Sequence, residues 1–189
     1  MTRELLDLQA TPAVPWRNGA GVTRELAVQP PGAALDFDWR ASVAEIGHDA
    51  PFSAFPGIDR CIVLLRGAGM RLSSADGRID ERLAYAHQPF HFPGDEALRA
   101  ELLAGPCRDF NVMTRRGRCR AEVTPLHHDT QTQPAQAGLL FASLGHWVDG
   151  ARRLGPLQAW LWRDSLPALQ LRAEGDAACA LLVRIETAP

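Results

Sequence analysis

The sequence predicts an all-β protein, a sandwich or barrel of many short strands with little helix. Fourteen Pro and sixteen Gly are scattered along 189 residues and interrupt nearly every stretch that could become a long helix. Short apolar or alternating runs recur between these breaks. Asp76-Gly77 and Asp149-Gly150 sit between such runs, and Asp-Gly at a reversal supplies the positive φ angles of a two-residue hairpin turn.

In chain order, strands are expected at 22–28, after the Gly19-Ala-Gly21 turn, and at 37–46, where residues alternate in character. The unbroken apolar run 61–65 suits a buried strand, and 70–73 with 79–84 flank Asp76-Gly77. Segment 89–92 ends at the Pro93-Gly94 turn, and further strands are expected at 98–103, 108–115 and 119–125. Later strands are expected at 139–144, 157–163, 168–172 and 178–186. The polar, aperiodic segment 130–138 reads as a linker. It divides the chain into residues 1–130, which hold most of the polar motifs, and a smaller β half, 131–189, packed on the first as one compact unit.

Twenty Lys and Arg against 22 Asp and Glu, without long runs of either sign, point to neither nucleic acid nor an anionic membrane as partner. Arg3, Glu4 and Asp7 fall where a signal peptide would be apolar, and no apolar run approaches the ~20 residues that span a bilayer. A soluble, cytoplasmic protein is expected. Cys61, Cys107, Cys119 and Cys179 form no C-x-x-C pair and read as reduced, buried thiols.

Four segments carry a family resemblance. Pro15-Trp-Arg-Asn-Gly-Ala-Gly-Val-Thr-Arg-Glu25, Trp39-Arg-Ala-Ser-Val-Ala44, Pro51-Phe-Ser-Ala-Phe-Pro-Gly-Ile-Asp-Arg60 and Asp109-Phe-Asn-Val-Met-Thr-Arg-Arg116 together resemble the HutD/Ves family of the cupin superfamily, in the family's order. The resemblance weakens beyond about residue 130. It implies a double-stranded β-sandwich or barrel of cupin type, with two fused cupin halves. It also implies a regulatory role in histidine utilisation for the HutD branch, or a link to cold and stress response for the Ves branch.

Metal-using cupins present His-x-His, a Glu and a Gly at set spacing, with a later His. Laid on this chain with Gly67 as the glycine, the Glu position falls at Arg60 and the His positions fall among Ser53, Ala54, Phe55 and Pro56. After Phe92-Pro-Gly94 the later ligand slot holds Ala97. A permanent guanidinium repels a cation and attracts a carboxylate, so a barrel without metal or other cofactor is expected. His87 with His91, and His127 with His128, lack a Cys or carboxylate at ligand spacing.

Period-two alternation puts Arg40, Ser42 and Ala44 on one strand face, and Asp109, Asn111 and Met113 on one face of another. Polar groups turned into a barrel need partners, since each unsatisfied one costs about 1–3 kcal/mol. Together with Arg60 they would offer fixed donors for a carboxylate and acceptors for an amide or imidazole N–H. The competing reading is a buried Asp109 ion pair with Arg40 or Arg60. Asp59 is drawn towards the site by its motif, and Asn18 and Thr23 belong to the N-terminal turn, which lacks the full phosphate-loop pattern. Trp16 is equally a pocket wall or a packing residue, whereas Phe52 and Phe55 read as core.

Three functions follow as expectations: a protein binding a small carboxylate metabolite such as urocanate or formylglutamate, a cofactor-independent isomerase or hydrolase using Asp109 or Glu45 as base, or an interaction module. The last would use Trp147, Trp160 and Trp162 as an oligomer surface; a homodimer is compatible with any of the three.

Overall fold

The structure, a computed structural model, describes residues 3–188, and every regular element among them is a strand. The chain runs through β1 (Glu4–Asp7), β2 (Val14–Pro15), β3 (Gly21–Gln29), β4 (Trp39–Ile46), β5 (Ala50–Phe52) and β6 (Ile58–Arg66). It continues through β7 (Met70–Ser74), β8 (Asp80–Leu83), β9 (Pro89–Pro93), β10 (Leu98–Leu102), β11 (Cys107–Arg115) and β12 (Cys119–Leu126). The last elements are β13 (Thr130–Gln131), β14 (Ala137–Asp149), β15 (Arg152–Leu154), β16 (Gln158–Trp162) and β17 (Gln170–Thr187).

Two compact units result. The first, Pro12–Arg116, is a sandwich of a six-stranded sheet, in the order β2-β3-β4-β11-β6-β9, and a four-stranded sheet, β5-β10-β7-β8. Ile46, Ile62 and Leu64 of the larger sheet meet Met70, Leu72, Leu98 and Ala100 of the smaller. Fully burying each large aliphatic chain stabilises by about 1.5–3 kcal/mol, which drives the two sheets together. The central strands are buried on both faces, Val63, Phe110 and Val112 lying opposite the sandwich core, and this accounts for the unbroken apolar run 61–65.

The second unit joins the segment up to Thr11 to the chain from Gly117 onward. Its seven-stranded sheet runs β1-β16-β14-β17-β12, with β13 on β17 and β15 on β14. The strands expected at 168–172 and 178–186 are parts of the single 18-residue β17. Its pairing with β14 shifts register around Leu144, where Gly145 (φ 68°) passes so close to Ala178 that a Cβ would lie 2.8 Å from that methyl. Trp147, Trp160 and Trp162 are core residues here, with Trp160 and Trp162 edge to face at 6.3 Å. They are therefore not an oligomer surface. The Arg3 guanidinium covers their rings at 4.3 Å from Trp160 and 4.9 Å from Trp162 and pairs with Asp149.

The division thus falls between Arg116 and Gly117, not near 130. β12 pairs with β17 along its whole length, from Cys119↔Thr187 to Leu126↔Ala180, and this long ladder ties it to the second unit. The expected linker 130–138 includes β13, which pairs with Gln170 and Leu171.

One of the two Asp-Gly turns differs from expectation. Ser74 and Ile79 close a four-residue loop in which Gly77 has φ 72° and the Asp76 carboxylate accepts from Ser74 Oγ and Arg78 N. The two-residue hairpin is the other one, where Asp149 pairs with Arg152 around Gly150-Ala151. All four cysteines are free and buried, and among the described residues no helix is long and apolar enough to cross a membrane.

Candidate functional site

The larger sheet of the first unit sets side chains in cross-strand rows on its inward face. One row runs Val28, Arg40, Met113, Arg60, Phe92 across β3, β4, β11, β6 and β9. The next runs Glu25, Ser42, Asn111, Ile62, Phe90, and the third Thr23, Ala44, Asp109, Leu64. Directly opposed residues in antiparallel strands stand about 4.5–5.5 Å apart, so the register alone gathers two guanidinium groups, two carboxylates, an amide and two hydroxyls. They line a cavity of about 630 Å³.

The walls come from two loops. Pro15-Trp-Arg-Asn turns at Gly19 (φ 71°), with Asn18 Oδ1 accepting from Ala20 N at 3.1 Å. Trp16 Nε1 donates to Thr23 Oγ1 at 2.8 Å and its ring meets Phe52 edge-on at 5.8 Å. Phe52, Ser53 and Phe55 form the facing wall.

Arg60 is 6% exposed, and its guanidinium carbon lies 5.5 Å, 5.6 Å and 5.0 Å from the ring centres of Phe52, Phe55 and Phe92. Three aromatic rings thus stabilise and orient a cation that sequence reading placed without a support. Burial lowers its pKa to about 10, with Asp109 opposing that shift and Arg40 adding to it, so the group is charged at neutral pH. Asp109, 1% exposed, is pushed up to about 7 by burial, partly offset by the Arg60 charge and by neighbouring Asn111. Neither Asp109 oxygen takes part in a well-aligned hydrogen bond, and Arg60 Nε and Asn111 Oδ1 are likewise buried and unpartnered. Arg40 Nε lies 2.8 Å from Glu25 Oε2, a charge contact outside hydrogen-bond alignment.

Eight of the nine residues expected at the site therefore converge: Asn18, Thr23, Arg40, Ser42, Arg60, Asp109, Asn111 and Met113. Asp59 does not. Strand alternation turns it away from Arg60, and its half-exposed carboxylate accepts from Arg116 at 2.6 Å. Glu45, weighed as a base, instead pairs with Arg108 at 3.0 Å and does not line this cavity. Sequence reading missed Glu25, although it stands two residues from Thr23 in unbroken register and so shares its face, and it read Phe52 and Phe55 as core. The Pro51-Phe-Ser-Ala-Phe-Pro-Gly motif was the available signal.

The donor set does not suit a metal ion. Two guanidinium groups share the floor, Glu25 is already opposite Arg40, and among the described residues no three His, Cys, Asp or Glu side chains converge. The set suits an anionic group on the guanidinium side and a hydrogen-bond donor on the Asp109–Asn111 side.

The HutD family model matches residues 8–181. Among curated proteins, Protein Ves of Cronobacter sakazakii is 38% identical over 92% of this chain and 94% of its own length. Among solved structures, HutD from Pseudomonas fluorescens SBW25 (formate condition) superposes with a TM-score of 0.86 at 27% identity, covering 100% of both chains. The Pseudomonas aeruginosa protein PA5104, described as a conserved protein of unknown function, matches with a TM-score of 0.86 at 31% identity, covering 98% of this chain and 100% of that one. With its all-β architecture of cupin type, its similarity to Protein Ves and a family model that spans most of its length, the chain belongs to the HutD family.

Proposed function

We propose that the cavity binds a small metabolite bearing a carboxylate and that the protein is a cytoplasmic, metabolite-binding regulator of histidine utilisation, with urocanate and formylglutamate as candidate ligands. The observation that carries this reading is Arg60, a buried cation held between three aromatic rings with an unpartnered Nε, lining the same cavity as Arg40. A ligand carboxylate satisfies both guanidinium groups, and an imidazole or amide N–H satisfies the acceptors on Asp109 and Asn111. Calorimetric titration with both compounds tests it. Saturable binding is expected, weakened about 10- to 100-fold in Arg60→Met through loss of a charge-assisted hydrogen bond. No heat from either compound at millimolar concentration overturns the reading.

Asp109, with a pKa of about 7, favours a second reading, a cofactor-independent isomerase or hydrolase in which it moves a proton. Turnover by the wild type that is abolished in a folded Asp109→Asn variant would support it over simple binding. For the pathway, the similarity to Protein Ves keeps as the alternative the role in cold and stress response that the resemblance to the Ves branch implies. Growth of a deletion strain on histidine, compared with growth in the cold, separates the two.

A further inference from the structure

The charges around the cavity balance before any ligand enters. Arg40 faces Glu25, and Arg60 is opposed electrostatically by Asp109. Arg17 lies at the exposed rim, where solvent screens it. The remaining titratable neighbour of Asp109 is Cys107 on the same strand, a buried thiol whose pKa is pushed up to about 12, so it stays neutral. The flanking β4 and β6 contribute Arg40 and Arg60 to this face, β3 contributes Glu25, and β5 with the loop that follows it contributes the uncharged rings of Phe52 and Phe55.

A carboxylate arriving beside Arg60 therefore makes a third anion against two buried-side cations. An uncompensated charge beside a buried cation is expensive, and the group that can yield is Asp109, which is almost wholly buried and whose ionised form has the support of only the Arg60 charge and neighbouring Asn111. We propose that the cavity takes up its carboxylate ligand together with one proton, which comes from solvent and resides on Asp109 in the complex. The proton adds to a carboxylate oxygen of Asp109 and no other bond changes. The site then holds two cations and two anions again, and the neutral acid gains an O–H that can donate to the ligand or to Asn111 Oδ1. The pKa of about 7 in the free protein means that this protonation costs little at neutral pH. The affinity becomes a function of pH in the physiological range, although no histidine lines the cavity.

This inference rests on the carboxylate-binding reading. The test is calorimetric titration of the full chain with formylglutamate, of whose two carboxylates one enters beside Arg60 and the other stays at the solvent-exposed rim with Arg17, both ionised between pH 6 and 9, in buffers of different ionisation enthalpy. The expected result is net uptake approaching one proton per ligand at pH 8–9 and falling towards zero at pH 6, with affinity dropping about tenfold per pH unit above 7. Asp109→Asn, a neutral isostere of the protonated acid, is expected to bind with no proton uptake and no such pH slope. Infrared difference spectra at pH 8 should show a protonated-carboxyl band on ligand mixing that is missing from Asp109→Asn. Wild-type binding without proton uptake or the band overturns the inference and leaves the carboxylate reading standing. Absence of any binding overturns both.

Discussion

Asp109→Asn should make the protein less sensitive to rising pH, and the size of the effect follows from the burial of one carboxyl. In the folded chain that group titrates at about 7, against an ordinary value of 3.8. Its folded pKa lies above the unfolded one, so the folded state holds the proton more tightly. Stability from this group is fullest below about pH 4, declines as pH climbs towards 7, and is level above that. Three pH units at about 1.4 kcal/mol each give a loss on the order of 4 kcal/mol, a large share of the 5–15 kcal/mol typical of a folded domain. Asn retains the shape and cannot ionise. The free energy of unfolding in urea, followed by tryptophan fluorescence at pH 4, 6 and 8, is compared between the two proteins, so that contributions from other carboxylates cancel. The variant is expected to gain about 4 kcal/mol on the wild type between pH 4 and 8. A difference independent of pH would refute the placement of Asp109 as a buried carboxyl without adequate compensation.

Other predictions concern the surroundings of the cavity. Asp59→Ala should leave ligand affinity unchanged in calorimetry and cost no more than about 1 kcal/mol in denaturation, because its ion pair with Arg116 is solvent-exposed. Gly69→Ala should destabilise by at least about 3 kcal/mol in urea titration, since a Cβ there would lie 1.8 Å from Leu83 O at a φ of +97°. Gly77→Ala, with open space at φ +72°, should cost only about 1–2 kcal/mol. Cys61, Cys107 and Cys179, held up to about 12 by burial, should react with a thiol reagent only on unfolding, as timed labelling with and without urea would show.

Most of the candidate site was legible because strand alternation is a local property. Arg40 with Ser42, and Asp109 with Asn111, share faces by virtue of period two alone, and the structure turns both pairs inward. The same rule, carried one residue further, separates Asp59 from Arg60, and proximity in a motif was the wrong guide there. Glu25 was legible by the same rule, two residues on from Thr23; the bulge in β3 comes only after it and resets the alternation for Ala27 and Val28. The short strands β1, β2, β5, β13 and β15 hold two to four residues each, too few for any period to be visible.

Composition and turn residues determined that this chain is all-β, and alternation determined which side chains can share a face, since both depend on neighbours in sequence. Tertiary structure alone decided that Met113 stands between Arg40 and Arg60, that three rings from β5, β9 and the loop after β5 surround the Arg60 guanidinium, and that residues 3–11 join the second unit. Those arrangements depend on the register between strands far apart in the chain. Register is set by the summed burial and hydrogen bonding of whole sheets, a quantity that no single segment contains.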